Sequence, residues 1–466
     1  METSKLSLKN KYVGNKSFYR MTLAIAVPIM IQNGISNFVG LLDNIMVGRV
    51  GTEEMSGVAI VNTLIFVFNL MIFGANSGAG IFGAQFFGNH DREGVRDTFR
   101  FKIISCMILC VLAILFFVFA GDFLIRQYLT GDGTPEQIAT TFSAGRRYLA
   151  IMLIGFPPFV LSQCYAGTLR ETGETVLPMK AGIAAVLVNL CLNTLLIFGL
   201  LGFPRLGVAG AAIATVISRF AELIIVMVAT HRRKDKYPFI KDAYHGFCVP
   251  KKLISDILRK ALPLIMNETL WAGGVAMLNQ RYSKCSFDAI SAVNISSAIV
   301  NVFNVSFIAM GNAIGIIVGQ NLGAGEVEKA IDHRRKLTAF SIFLCLFFGT
   351  AMFCVAPLFP MIYKTTDSVR NMAKSFIRIS ACCMPIGAYA NASYFSLRSG
   401  GKTFITVLFD SCYAWIIVVP FAFVLSEFTA ITVVWLYLAC QLIEFGKCII
   451  GYFLIRSGIW INKIVE

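Results

Sequence analysis

Charged residues are scarce in this 466-residue sequence, and that scarcity excludes most soluble folds. Only 14% of the residues are Asp, Glu, Lys or Arg, whereas 56% are hydrophobic and the mean hydropathy is +0.71. Soluble globular proteins average about 25% charged and about 45–50% apolar residues. A soluble core cannot bury this surplus of apolar side chains. The composition therefore excludes a soluble enzyme and a disordered chain, and it predicts a membrane protein.

Histidines and paired cysteine motifs are also scarce, which removes several kinds of site. The only four histidines fall between the apolar runs, at His90, His231, His245 and His333. The 13 cysteines are scattered and form no pair of CxxC motifs. Neither a zinc site nor a disulfide framework is therefore indicated, and we expect no cofactor. A membrane-embedded enzyme is the weaker alternative, because no Ser/Lys or His/Asp dyad is visible at membrane depth.

Long apolar runs, in contrast, are abundant. Each is long enough for a membrane-spanning helix, which needs about 20 residues, whereas a membrane β-barrel would show short alternating segments. We therefore predict an all-α membrane protein with 12 transmembrane helices. The runs lie at about 22–46, 57–82, 100–120, 145–167, 177–200, 207–229, 260–281, 290–317, 337–357, 376–396, 404–425 and 430–455.

The distribution of Lys and Arg predicts the orientation of these helices. With both termini on one side, 28 of the 41 basic residues fall on that side and 11 on the other. Positive residues concentrate in cytoplasmic loops, so we expect both termini in the cytoplasm and the chain in the cell membrane. The net charge of +15 then requires no nucleic acid as a partner. The predicted domains are a cytoplasmic tail (1–20), a first lobe of six helices (21–230), a cytoplasmic linker (231–258) and a second lobe with a short tail (259–466).

The two halves of the sequence repeat each other. At an offset of 235 residues, positions 23–88 show 14 identities in 66, and Pro28 meets Pro263. A second match has an offset of 228, where the turn 169–175 meets 397–403. Because each half holds six helices, corresponding helices keep the same orientation, which predicts a parallel repeat about an axis along the membrane normal. Such symmetry is typical of transporters that expose a central site to each side in turn.

Several motifs resemble the multidrug and toxic compound extrusion (MATE) family. They are Pro28, Asp43-Asn44 followed by Ile-Met-Val-Gly, the repeated Gln-x-x-Gly at 85–88 and 320–323, the Leu-Arg-x-x-Gly-x-Thr turn at 169–175 with its relative at 397–403, and the run 207–215. The resemblance implies two pseudo-symmetric six-helix bundles that form a V-shaped cleft. It also implies an antiporter that exports amphipathic, often cationic organic compounds in exchange for protons or sodium ions by alternating access.

Two further expectations accompany this resemblance. We expect small organic molecules and the lipid bilayer as partners, and a functional monomer. A lipid-linked oligosaccharide flippase of the same superfamily is the alternative function. Such a protein often has extra helices and a strongly cationic cleft, for which the intramembrane arginines here are too few.

Polar side chains in the first predicted helix form a stripe. Gln32, Ser36 and Asp43 lie near one face, with Asn33, Asn37 and Asn44 alongside. Ionisable groups at membrane depth are costly, so this face must meet other helices or water rather than lipid. The resemblance implies that Asp43 binds or exchanges the coupling ion. The alternative is an interfacial carboxylate that caps the following loop.

The resemblance completes this first candidate site with Asn189 and Asn193 on predicted helix 5 and Thr215 on predicted helix 6. The two asparagines are four residues apart and so share a helix face. Some family members carry Asp at the place of Asn193, so this chain has one carboxylate where they have two. Desolvation of a single carboxylate favours its neutral form, and we expect protons to drive transport, with sodium at Asp43 as the alternative. Helix-to-helix hydrogen bonding is the alternative role for the two asparagines.

The second lobe has its own candidate residues. Glu268 lies five residues after Pro263, at a place where the resemblance implies a residue that lines the cleft or binds a cation. The partner carboxylate of that family branch is missing, because Gly387 stands there. Asp410 is a substitute by depth only.

Asparagine stripes complete the predicted substrate cleft, with helix packing as the alternative role. We interpret Arg219 with Glu222, and Glu444 with Lys447, as structural pairs because each is three residues apart on a helix. The stripe residues assigned to the cleft are Asn62, Asn69, Asn294, Asn301 and Asn304, and Asn76 continues the first stripe.

Overall fold

A computed structural model describes residues 11–129, 134–246, 248–363 and 365–465. These residues form helices joined by short connections, and the described ranges contain no strand. The helices are α1 (Lys16–Gly48), α2 (Thr52–Gly88), α3 (Arg92–Tyr128), α4 (Pro135–Ile154), α5 (Phe156–Glu171), α6 (Val176–Phe198), α7 (Val208–Arg232), α8 (Lys251–Cys285), α9 (Phe287–Gly323), α10 (Val327–Val355), α11 (Asp367–Ser399), α12 (Thr403–Phe428) and α13 (Val433–Arg456).

The helices confirm the predicted all-α membrane fold. Ten described helices are long and apolar enough to cross a membrane, and α4 with α5 forms one further, bent span. This pair is bent by 48° and covers the predicted fourth helix. Helix α11 is more polar, but its 33 residues extend about 50 Å at 1.5 Å per residue. All twelve predicted apolar runs therefore fall on helices.

The chain divides into two compact units. Within the described ranges, unit 1 holds residues 11–30, 84–91 and 259–465, and unit 2 holds 31–83 and 92–258. Helix α1 thus contributes to both units, and Pro28, which lacks an N–H and permits a bend, lies two residues before the division. The predicted lobe boundaries 21–230 and 259–466 rest on the repeat and stay a prediction. Helix α8 begins at Lys251, inside the predicted linker.

The connection between α7 and α8 is packed onto unit 2. Arg100 on α3 donates hydrogen bonds to the backbone carbonyls of Asp242, Ala243 and His245 at 2.5–3.0 Å. Phe239 from the same connection is buried. The guanidinium has several donors in a fixed planar arrangement, so one arginine can hold three backbone carbonyls of this connection in place.

The two Gln-x-x-Gly turns of the repeat meet each other in unit 1. A Cβ atom on Gly88 would collide with the backbone carbonyl of Gln320, and one on Gly323 would collide with the carbonyl of Gln85. Glycine is therefore required at both positions by a close approach of two backbones. The contact is reciprocal, as expected for two equivalent positions of a repeat.

Residues 460–465 are fastened to this crossing. The fully buried Gln85 side chain donates to the carbonyls of Ser399 at 2.9 Å and Asn462 at 3.1 Å, and it accepts from the Ile464 N–H at 2.9 Å. Trp460 is buried beside them. A single glutamine thus joins the end of α2, the end of α11 and this tail in unit 1.

Candidate functional site

The predicted residues of the first site converge in unit 2. The side-chain amide of Asn193 donates to Asp43 Oδ1 at 2.6 Å. The Asn189 amide lies 3.1 and 3.3 Å from the two carboxylate oxygens and 3.2 Å from the Thr215 hydroxyl. Helices α1, α6 and α7 therefore supply one carboxylate, two amides and one hydroxyl to a single cluster. The carboxylate points at α6, which does not fit the alternative of a cap for the following loop.

Close helix packing explains why these groups meet. Gly210 on α7 faces α6, where a Cβ would lie 2.6 Å from the carbonyl oxygen of Leu196. A larger residue would push the helices apart and separate Thr215 from Asn189. The four-residue spacing of Asn189 and Asn193 puts both amides on the face that α6 turns toward Asp43.

The amide orientations show what this cluster lacks. An ionised carboxylate needs donors, so the Asn189 amide is best turned with its NH₂ toward Asp43 and its oxygen toward Thr215. Asn193 is 1% exposed, and its Oδ1 has no hydrogen-bond partner among the described residues. A buried side-chain oxygen without a hydrogen-bond donor is unusual in proteins. The cluster can hold one positive charge and has a spare acceptor beside it.

Other predicted residues of unit 2 have identified partners. Gln32 accepts a hydrogen bond from Arg170 at 2.9 Å, and Asn62 accepts from the Tyr148 hydroxyl at 3.3 Å. Asn76 donates to the carbonyl of Gln163 at 3.0 Å, which fits the packing role for this stripe member. The Arg170 contact was not foreseen, although an arginine six residues before an apolar helix is a recognisable signal.

The remaining predicted residues of unit 2 differ in exposure. Asn69 lines a cavity of about 30 Å³ together with Thr215 and Arg219. Asn33 is half-buried, whereas Ser36 and Asn37 are exposed. The Asn44 side chain lies outside the described part of the structure.

Unit 1 contains a second polar cluster, centred on Asp410. Its carboxylate accepts from Lys447 Nζ at 3.0 Å through Oδ1 and from the Asn267 amide at 3.1 Å through Oδ2. Lys447 also pairs with Glu444 at 3.0 Å, which confirms the predicted pair. Ser411 holds Asn267 by donating to its Oδ1 and to its backbone carbonyl, both at 2.7 Å. The sequence prediction found Asp410 and the Glu444 pair but missed the Lys447–Asp410 contact.

Glu268 lies next to this cluster in sequence but makes neither a hydrogen bond nor a salt bridge with the described residues. Its nearest electrostatic influences are the positive charge of Arg398 and the negative charge of Asp410. The preceding residue, Asn267, is the one that α8 turns toward Asp410. Glu268 is half-buried, so its carboxylate is available to a further positive group.

The asparagine stripe on α9 is more accessible than the Asp410 cluster. Asn294 and Asn301 are exposed and Asn304 is half-buried. Asn301 has an interaction partner within the protein, which is compatible with the packing alternative. The structure does not bring these residues to Asp410 by any hydrogen bond that it describes.

Ion pairs outside the two clusters fix the unit 2 helices and turns. Lys102 on α3 is fully buried and pairs with Glu171 at the end of α5 at 2.5 Å. In the turn before α6, Glu174 accepts from Lys236 at 2.5 Å and from Tyr237 at 3.0 Å. Burial by itself would raise the pKa of Glu174, but these hydrogen bonds and the charge of Lys236 lower that pKa below its usual value. Across the described ranges, no group of three His, Cys, Asp or Glu side chains is arranged to hold a metal ion.

Comparison with protein families finds one model that matches both halves of the chain. The model is MatE, and it matches residues 28–195 and 263–424. The chain is 24% identical over 439 residues to "Probable multidrug resistance protein YoeA" of Bacillus subtilis, covering 93% of this chain and 92% of the relative. It is 25% identical over 454 residues to "Probable multidrug resistance protein NorM" of Thermotoga maritima, with 95% and 93% covered.

Solved structures show the same fold. An outward-facing multidrug resistance MATE family transporter of the MOP superfamily superposes with a TM-score of 0.85 at 19% identity, covering 98% of this chain and 99% of that one. A MATE crystal structure in complex with MaL6 gives a TM-score of 0.84 at 18% identity, with 97% and 98% covered.

Proposed function

Because the chain belongs to the MatE family of multidrug efflux transporters, we propose that it exports amphipathic, often cationic organic compounds in exchange for protons. It is a transporter rather than an enzyme in the usual sense. The observation that carries the proposal is the Asp43 cluster on three helices, in which a half-buried carboxylate lies beside neutral amides and forms no salt bridge within the described ranges. Such a group changes its net charge when it takes up a single cation.

The geometry favours a proton over a sodium ion as that cation. Hard metal cations in proteins take several oxygen ligands. Asn193 instead presents its NH₂ group to the Asp43 carboxylate, and its own oxygen points elsewhere. A proton on Asp43 needs only one acceptor, which a turn of either neighbouring amide would provide. The Asn193 Oδ1, which has no hydrogen-bond partner among the described residues, could accept that proton's hydrogen bond.

Coupling follows from the difference between the two protonation states. An ionised Asp43 holds α1 and α6 together through charge-assisted hydrogen bonds, whereas a protonated Asp43 makes weaker, neutral ones. A ligand shifts a conformational equilibrium only through such a difference in interaction free energy. Protonation from one side and release to the other would therefore bias the helices between two arrangements, and organic substrate would move in the opposite direction.

The substrate contacts are proposed from exposure and charge. Asn62, Asn294 and Asn301 are exposed on helices that are apolar enough to span a membrane, and polar side chains at that depth avoid lipid. Within each unit these side chains would therefore face water rather than lipid, and Ser36 and Asn37 on α1 would do the same. Glu268, which makes no salt bridge within the described ranges, would attract the positive charge of a substrate.

We also propose the orientation, with both termini in the cytoplasm of a cell membrane and the monomer as the functional form. The α7–α8 connection offers a direct test, because Cys248 is exposed there. With the other cysteines replaced, Cys248 should react with a membrane-impermeant maleimide in inside-out vesicles but not in intact cells. Labelling in intact cells would reverse the orientation.

Transport in reconstituted liposomes tests the proposed function itself. A pH gradient at equal sodium concentration should drive accumulation of a fluorescent cationic dye, and Asp43→Asn should strongly reduce that accumulation. A sodium gradient at equal pH should drive no more dye accumulation than is seen in protein-free liposomes. Dye accumulation that is driven by sodium alone, and is lost in Asp43→Asn, would show that sodium rather than the proton is the coupling ion. Absence of dye movement under both gradients, across a panel of dyes, would refute drug export.

A further inference from the structure

Lys447 places a positive charge between two carboxylates in unit 1. Its ammonium nitrogen lies 3.0 Å from Asp410 Oδ1 and 3.0 Å from Glu444 Oε2, and 5.6 Å from the centre of the Tyr413 ring. The side chain is 8% exposed. Two carboxylates from two helices thus converge on one buried positive charge.

The backbone around this charge is irregular in both helices. Residues Leu408–Cys412 and Ala414–Val418 of α12 form wide π-type turns, which are frequent at functional sites. Helix α13 is interrupted at Glu444, between Val433–Ile443 and Phe445–Arg456. The Ile443 carbonyl at this interruption also accepts the Tyr413 hydroxyl at 2.6 Å. Both helices remain single spans, so the irregularity is confined to the turns around this charge.

The repeat shows that a basic residue at this place has a counterpart in unit 2. The offset of 228 that aligns 169–175 with 397–403 also aligns Arg219 with Lys447. Arg219 pairs with Glu222 at 3.5 Å and is 38% exposed, and it forms no second ion pair within the described ranges, although its charge also reaches Asp43. In unit 1 the equivalent basic residue, Lys447, forms ion pairs with both Asp410 and Glu444.

We propose that Lys447 is a tethered cation that fills a monovalent-cation site formed by Asp410 and Glu444, and thereby closes unit 1 to sodium. Asn267 supports this site by donating to the free oxygen of Asp410. Other ionisable groups near the site include Tyr413 on α12, Glu268 and Tyr282 on α8, Tyr394 and Arg398 on α11, and Cys440 and Cys448 on α13.

This assignment has a chemical consequence. Removal of the ammonium group leaves two half-buried carboxylates facing each other, and two like charges that close together favour the uptake of a proton or a cation. Sodium, which does not compete with a covalently attached lysine, would then bind. The inference deepens the proposed function by naming the residue that restricts the coupling ion, but its test measures binding alone.

The experiment follows thermal unfolding of purified protein in sodium chloride and in choline chloride at equal ionic strength. All variants carry Asp43→Asn, so that the unit 2 cluster contributes no carboxylate. With Lys447 intact, the Tm should be the same in both salts. Lys447→Ala should show a saturable rise of several degrees in sodium, because a ligand that binds only the folded state stabilises it. Adding Asp410→Asn and Glu444→Gln should remove that rise.

A matched control is available in the same unit. Lys284 pairs with Glu427 at 2.6 Å but is half-exposed, and Lys284→Ala should create no sodium response. The proposal is overturned by a Lys447→Ala protein whose Tm ignores sodium, or by a sodium response while Lys447 is intact. If Lys447→Ala does not fold, Lys447→Gln is measured in the same way. Failure of both to fold in sodium medium would also overturn it, because sodium would then be unable to replace the lysine.

Discussion

The polar clusters of units 1 and 2 surround a half-buried carboxylate in different ways. Asp43 in unit 2 lies beside the neutral side chains of Asn189 and Asn193 and forms no salt bridge within the described ranges, although the charge of Arg219 reaches it. Asp410 in unit 1 is paired with a lysine of its own chain. A carboxylate that has no salt bridge can take up a cation from outside the protein and release it. A carboxylate with a built-in cation does not require one from outside. Two copies of one helical scaffold can therefore hold an exchangeable site and a permanently filled one.

The largest effect that we expect is a loss of stability when the buried Lys102 of unit 2 is replaced. This change tests whether unit 2 also depends on a lysine of its own chain. Lys102→Met removes the ammonium group that pairs with Glu171, a carboxylate that lies close to Gly80 and Gly83. Breaking a buried ion pair by removing one partner typically costs about 3–5 kcal/mol. Denaturation in detergent should show this loss, and Lys102→Met with Glu171→Gln should recover most of it. A single mutant as stable as the wild type would mean that this pair is not structural.

Asp43→Asn is the next largest change and removes the exchangeable site directly. The variant keeps the shape of the side chain and both amide neighbours, so the amount of folded protein in the membrane should be unchanged. Coupling free energies between two ligands are typically about 1–3 kcal/mol, so pH-driven dye export should fall by about 5- to 150-fold. Export is measured in inside-out vesicles. As the control, Asn62→Asp is added to the Asp43→Asn variant. It supplies a carboxylate elsewhere in unit 2 and should not restore export.

Glu268→Gln tests whether unit 1 keeps one acidic group for the substrate. One charge at partial burial contributes about 1 kcal/mol or less to a neighbouring cation. We therefore expect about a threefold to fivefold rise in the KM for cationic dyes, no change for a neutral dye, and normal expression. Equal effects on cationic and neutral dyes would show that Glu268 supports the structure rather than the charge of the substrate.

The smallest effect concerns Glu174, outside the membrane helices. Its pKa is lowered in the folded protein, so its contribution to stability is present above the unfolded pKa of about 4.3 and is lost as the pH falls through the lower folded value. Lys236 is largely exposed, and such pairs contribute about 0.2–1 kcal/mol. Glu174→Gln should lose this amount at pH 7 and nothing once the pH lies below the folded pKa of Glu174. A stability difference that persists below that pH would exclude the ion pair as its cause.

The helices and the repeat were predictable because both leave long signals in the sequence. Twenty-residue apolar runs identify the spans, and the offset of 235 aligns Gln85 with Gln320 at the place where the two turns cross. The bend between α4 and α5 was not predictable from the apolar run, which continues across Gly155. Pro28 signals a bend near the division of α1, but the assignment of each end to a unit depends on which distant helices pack against it.

The candidate sites were predictable to different degrees. The family resemblance brought Asp43, Asn189, Asn193 and Thr215 together, and the structure places them within hydrogen-bonding distance. The Lys447–Asp410 contact joins residues 37 positions apart on different helices. The i, i+3 spacing of Lys447 and Glu444 offered a local partner that accounted for the lysine. A lysine can serve two carboxylates at once, and sequence spacing shows only the nearer one.

The way unit 1 is assembled from distant parts of the chain also sets an order of events during synthesis. Residues 11–30 emerge early, yet the Phe18 ring packs 5.5 Å from His333 and the Tyr19 ring 5.1 Å from Phe340. At about 5–20 residues per second, those partners arrive roughly 15–60 s later. Unit 2 is complete once residue 258 has been made. Unit 1 is complete only when residues 460–465, which bind Gln85, have also been made. The newly inserted first half of α1 therefore spends that interval against lipid or the insertion machinery.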